Sequence, residues 1–172
     1  MNVPSVCAAL LLMGVGSAAP LEAADLQPPP ACRTAIDAQL PGWKLSVPPA
    51  DLAAYAKQHN LTTNVAQADF DGDGTRDTAV LVVPRQRRSD GGRHDMIAVC
   101  FARGGNTRVQ LIRDPYCADG ISVAAKGTRA HDYQTDKEVT YWTNGVTGYC
   151  FEKSSGTYLY RNGQFVLVVD SD

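Results

Sequence analysis

The chain has 172 residues, 44% of them hydrophobic, with 16 Lys and Arg against 18 Asp and Glu, a formal net charge of −2 and a pI of about 5.9. A balance this even excludes the broad basic footprint that draws a protein to nucleic acid. The length suits one domain with a substantial core, and no apolar stretch reaches the roughly 20 residues of a membrane-spanning helix.

The chain begins with a short apolar run, Val6 to Val15, followed by Gly16, Ser17, Ala18 and Ala19, small residues of the kind that signal peptidase accepts. Residues 1–19 read as a signal peptide, cleaved near Ala18 or Ala19, although no Lys or Arg precedes the run. The expected destination is the periplasm or the exterior, with no membrane insertion of the mature chain. Cleavage discards Cys7 and leaves Cys32, Cys100, Cys117 and Cys150. An even number of cysteines in an oxidising compartment points to two disulfides. Three pairings are open to the sequence, of which Cys32 with Cys100 and Cys117 with Cys150 is preferred; the wide spacings argue against a zinc ribbon.

Residues 20–30, ending in Pro28, Pro29 and Pro30, read as a Pro-rich linker, and 31–172 as a single β-rich domain. Ala31 to Leu40 predicts a short helix with Cys32, Ile36 and Leu40 on neighbouring turns, stopped by Pro41 and Gly42; Trp43 follows as a packing anchor. A second helix is predicted from Pro49 to His59, where Leu52, Tyr55, Ala56 and His59 share a face and Asn60 suits the C-terminal end. His59 reads as a partly buried histidine satisfied by main chain rather than as a ligand.

Next comes the stretch that reads as a site, Asp69-Phe-Asp-Gly-Asp-Gly-Thr-Arg-Asp77. Its four carboxylates stand at positions one, three, five and nine. Two like charges about 4 Å apart repel by about 4 kcal/mol at an effective dielectric near 20, so such a cluster calls for a cation or for wide solvation. Calcium takes six to eight oxygens in adaptable geometry, which suits a flexible carboxylate loop better than the tight octahedron of magnesium. The spacing resembles the first half of an EF-hand loop, with Asp69, Asp71 and Asp73 as ligands, Gly74 at the sharp turn and the Thr75 carbonyl as a main-chain ligand. Position twelve is Val80, so Asp77 must close the sphere instead. Thr78 to Val83 is β-branched and apolar, which predicts a strand where an EF-hand has a helix. An Asp-x-Asp-Gly-Asp-Gly-x-x-Asp loop entering a strand resembles the calcium loops of FG-GAP and VCBS repeats. The resemblance implies that Asp69, Asp71, Asp73 and Asp77 bind Ca2+. The order of elements is also similar to that of secreted bacterial proteins carrying one such loop.

Beyond the loop, Thr78 to Pro84, Met96 to Phe101 and Arg108 to Ile112 predict a meander of strands. The connection from Arg85 to Asp95 carries Arg85, Arg87, Arg88 and Arg93 and reads either as a grip for an anionic partner, such as a polysaccharide, a phosphate or an acidic protein surface, or as a charged, solvated edge. Two Asn-Gly pairs predict type I′ hairpins. Asn144-Gly145 would join Glu138–Thr143 to Val146–Phe151, with Trp142 opposite Thr147. Asn162-Gly163 would join Thr157–Arg161 to Gln164–Val169, pairing Tyr160 with Phe165 and Tyr158 with Leu167, and Leu159 with Val166 on the other face.

The sequence holds no Gly-x-Ser-x-Gly elbow, His-Glu-x-x-His pair or phosphate-binding Gly loop. In the pairs His94-Asp95 and His131-Asp132 the side chains diverge if the segments are extended. The expectation is an α+β, mainly β domain: an antiparallel meander sheet with one or two short N-terminal helices, exported, calcium-binding, structural or binding rather than catalytic, with a protein or glycan as its partner class. Two alternatives remain open. One is an inhibitor or immunity protein against a periplasmic toxin or lytic enzyme, making contact through Arg85–Asp95 or Arg113–Asp119. The other is a metal-dependent hydrolase using the acidic loop.

Overall fold

The run from Asp77 to Val83 alternates between two apolar sets: Ala79 and Leu81 pack on one side, Val80 and Val82 on the other. A strand of that kind must be covered on both faces, and the architecture follows from covering it. The computed structural model describes residues 27–58, 63–85, 95–151 and 153–171; the signal peptide, His59, Asn60, Arg87, Arg88, Arg93 and His94 lie outside the described residues. In chain order the elements are α1 (Pro30–Gln39), β1 (Lys44–Leu45), α2 (Ala50–Gln58), β2 (Val65–Ala68), β3 (Asp77–Val83), β4 (Met96–Arg103), β5 (Asn106–Ile112), β6 (Gly120–Ala124), β7 (Arg129–Asp132), β8 (Lys137–Thr140), β9 (Gly145–Tyr149), β10 (Ser155–Arg161) and β11 (Gln164–Ser171).

The first sheet has the order β1-β3-β4-β5, with β2 also on β3. Strands β1 and β2 share one edge of β3: Lys44 and Leu45 pair with Val83 and Val82, and Val65 to Ala68 pair with Val80 to Asp77. Between them the ladder continues through Ser46 N–H to Leu81 O and Leu81 N–H to Asn64 O, so α2 is an excursion from a single strand position. The second sheet is antiparallel in the order β11-β10-β9-β6, and β7-β8 forms a separate hairpin.

These parts stack in layers. Ala79, Leu81, Ile97, Val99 and Phe101 of the first sheet meet Ile121, Val146 and Tyr158 of the second. On the far side of the first sheet, Val80, Val82, Ala98, Cys100 and Val109 pack against Cys32 and Ile36 of α1. Leu159 and Val168 on the outer face of the second sheet are covered by Tyr141 and by Ala130 and Val139 of the β7-β8 hairpin. The mainly β, α+β expectation therefore holds, as do the two helices; α1 begins at Pro30, one residue earlier than expected, with proline in the first turn, where its missing N–H costs nothing. Tyr55 departs from the buried face of α2: it is 43% exposed and meets the Phe151 ring edge-on at 5.4 Å, while Leu52 and Ala56 are buried.

Both preferred disulfides are present, Cys32–Cys100 tying α1 to β4 and Cys117–Cys150 bracketing β6 and β9. The second Asn-Gly pair behaves as expected: Asn162 and Gly163 have φ of 51° and 83°, and Tyr160↔Phe165, Leu159↔Val166 and Tyr158↔Leu167 are the observed partners. The first does not. Strand β8 pairs with β7, while β9 pairs with β10 and β6, so Trp142 does not face Thr147. Gly145 is a glycine for another reason. A Cβ there would fall 2.4 Å from Thr157 Cγ2 and 2.9 Å from Leu159 Cδ2, so its bare backbone permits β9 to lie close against β10.

The 68-residue separation closed by Cys32–Cys100 sets its effect on the unfolded chain. Replacing both cysteines by serine is expected to lower unfolding free energy by about 4 kcal/mol, measured by extrapolating urea unfolding to water, with a steeper slope because the denatured chain without the cross-link is less compact.

Candidate metal centre

The loop from Asp69 to Asp77 is shaped by alternating tasks along its sequence. Phe70 is fully buried in the core between the two sheets, which fixes the chain there and leaves Asp69 and Asp71 on either side at the surface of the loop. Burial of one such ring contributes about 1.5–3 kcal/mol. Asp69 gathers the turn around itself: Oδ1 accepts from Gly72 N–H at 2.7 Å and Oδ2 from Gly74 N–H at 3.0 Å. Gly72 and Gly74 have φ of 79° and 87°, a left-handed backbone that glycine adopts freely, which lets the chain curl back over the carboxylate. Asp71 Oδ1 accepts from Asp73 N–H at 3.1 Å, and Asp73 Oδ1 from Thr75 N–H at 2.7 Å.

Asp77 is the first residue of β3 and is only 1% exposed. Its Oδ2 accepts from Phe70 N–H at 2.9 Å and its Oδ1 from Ala102 N–H at 3.0 Å, so one carboxylate joins both ends of the loop to β4. Burial, the largest influence, pushes its pKa up to about 6; the two main-chain donors oppose the rise and the neighbouring Asp71 charge adds to it.

One oxygen from each of Asp69, Asp71 and Asp77 lies within 4.8 Å of the others. Two oxygens bound to a shared calcium at 2.3–2.6 Å can stand at most about 5 Å apart, so these three are near enough to one another to be candidate ligands of one ion. The structure does not bring Asp73 into that set. Its carboxylate caps the Thr75 N–H instead, and its Oδ2 lies 3.9 Å from the Arg103 guanidinium. Thr75 is exposed at the outer side of the loop.

A contribution that the spacing did not announce comes from Asn144. Its Nδ2 donates to the Asp69 carbonyl at 3.0 Å and its Oδ1 accepts the Lys126 N–H at 3.1 Å. The signal was present in the sequence as an Asn-Gly pair, but it read as a turn.

Elsewhere, Arg85 is exposed, its side chain passing Gly42 beside Lys44 at the end of the β1-β3 ladder; it has no described companion among the other expected arginines. His131 and Asp132 do point apart: the imidazole is 3.2 Å from both Asp136 and Glu138, whereas the buried Asp132 accepts from Thr135 Oγ1 and from the Gln134 and Val169 N–H groups. No described helix is long and apolar enough to cross a membrane. Comparisons of the chain with protein-family models, with curated proteins and with solved structures give no match.

The raised pKa of Asp77 has a sign that can be checked. The folded protein binds this proton more tightly than the unfolded chain does, so in chelator the stability contributed by Asp77 is greatest below about pH 4 and is lost as pH rises through 6. The melting temperature of wild type minus that of Asp77→Asn, measured in chelator, is expected to increase as pH is lowered from 7 to 4.

Proposed function

We propose that this is an exported calcium-binding domain in which the ion has a structural role, holding the 69–77 loop at the mouth between the two sheets. The observation that carries the reading is the convergence of Asp69, Asp71 and Asp77 oxygens within 4.8 Å, one of them on a buried carboxylate. Three anions so placed repel one another unless a cation shares them. The donors are hard oxygens, the class that calcium prefers. In a six- to eight-oxygen sphere the remaining positions would be filled by water, by the Thr75 carbonyl and by Asp73, were the last to leave its contacts with Thr75 N–H and Arg103. The resemblance to FG-GAP and VCBS loops supports the same ligand set.

Calcium supplies charge neutralisation and cross-linking here, and the chain's own residues do the rest. Phe70 fixes the loop floor, Asp69 orders the turn, and Asp77 ties the loop to β4. Export is supported by the apolar N-terminal run and by the two disulfides, which persist in oxidising compartments.

A thermal melt in calcium, in magnesium and in chelator tests the reading. At 1 mM calcium, a site of about 10 μM affinity adds about 2.7 kcal/mol and a site near 1 mM about 0.4 kcal/mol. The shift is expected with calcium, to be smaller with magnesium, and to vanish in Asp71→Ala, whose melt in chelator stays close to that of wild type. No calcium shift in wild type contradicts the proposal.

Acidification gives a second check. Metal binding requires the Asp77 carboxylate without its proton, and the metal-free group titrates at about 6. Apparent calcium affinity is expected to fall about tenfold between pH 7 and pH 5 by isothermal titration calorimetry.

A further inference from the structure

The two ends of the acidic loop are held from different sheets. At one end Asp77 opens β3 and its carboxylate accepts from Ala102 in β4, both in the first sheet. At the other, the Asp69 carbonyl accepts from Asn144 Nδ2, and the Oδ1 of that same amide accepts the Lys126 N–H. Asn144 stands immediately before β9 and Lys126 two residues after β6. Because β6 and β9 are paired neighbours, with Ala124 opposite Gly145, one side-chain amide gathers both chain segments and fastens them to the first acid of the loop. The Thr143 methyl lies beside the loop, 3.7 Å from where a Cβ on Gly72 would be.

We infer that Asn144 is a positioning residue for the cation: by fixing the Asp69 main chain it presets the acid at loop position one, and calcium in the loop in turn tightens the β6–β9 junction. The inference rests on the calcium reading and adds the route by which the ion acts on the second sheet. A ligand held in its bound geometry beforehand loses less freedom when the ion arrives. Removing an outer-shell partner of a metal ligand commonly weakens affinity 10- to 100-fold. Asn144 holds the main chain of Asp69 rather than its carboxylate, so the expected loss is about tenfold, at the low end of that range. The coupling is reciprocal, and the Lys126 amide, which donates to Asn144 Oδ1, is its remote reporter.

The test uses the disulfide-bonded protein titrated with calcium chloride in a calorimeter, as wild type, Asn144→Ala and Asn144→Leu, the last replacing the amide by an apolar group of similar size. Hydrogen exchange at Lys126 is followed in wild type with and without calcium, with the adjacent Gly127 amide, bonded to Tyr141 O, as the internal control. The expected result is a dissociation constant about tenfold higher in both variants, and calcium slowing exchange at Lys126 more than at Gly127. Equal affinity in wild type and both variants overturns the role of Asn144 and leaves calcium binding standing. An absence of binding in wild type overturns both. Should neither variant fold, the wild-type exchange data decide alone: equal slowing at Lys126 and Gly127 overturns the inference.

Discussion

A carboxylate out of water is tolerated only where something else stabilises its charge. Three buried or half-buried acids of this protein meet that requirement differently. Asp132 accepts from a threonine hydroxyl and two main-chain N–H groups, and these donors, led by Thr135, hold its pKa below the usual carboxylate value. Asp170 is surrounded by the hydroxyls of Tyr141, Ser155 and Thr157. Asp77 has two main-chain donors and a second carboxylate beside it, and burial prevails. The chain thus supplies ample donors where a carboxylate only braces a turn or a sheet face, and too few where three acids converge. That shortfall is what the proposed cation would offset.

The position of the shortfall gives it consequences for the fold. Strand β3 is the centre of the first sheet and is buried on both faces, and its first residue is Asp77. Phe70, seven residues earlier, fills the space between the sheets, so the loop joins a core plug to a central strand. On the same side of the molecule Arg108 of β5 reaches the Tyr160 hydroxyl of β10 and lies over the Phe101 ring, a direct bridge between the two sheets. The sandwich is closed there by polar and cationic contacts as well as by apolar ones, and the acidic loop belongs to that closure.

Features encoded by local chemistry were legible in the sequence. Four acids at fixed spacing marked the loop, β-branched runs marked β3 to β5, and Asn162-Gly163 marked its hairpin because both residues adopt the positive φ that such a turn requires. Features set by distant partners were not. Asn144-Gly145 has the same letters, but Gly145 is needed for close approach to Thr157 and Leu159, and the Asn144 amide donates to the main chain of an acid 75 residues away. Strands β1 and β2 share one edge because α2 interrupts them, which two- and four-residue segments cannot announce through periodicity. Asp73 has the spacing of a ligand, yet the turn's own Thr75 N–H and the nearby Arg103 draw its carboxylate away. Spacing selects which residues approach a point; competing donors decide which of them face it.

The central claim is that Asp69, Asp71 and Asp77 share one cation. Its most direct test is a crystal grown in calcium chloride, with anomalous difference density measured at a long wavelength where calcium scatters anomalously. The account predicts one peak in the loop with oxygens of these three residues at about 2.3–2.6 Å. A well-ordered loop without such a peak, its three carboxylates turned apart to solvent, would contradict it.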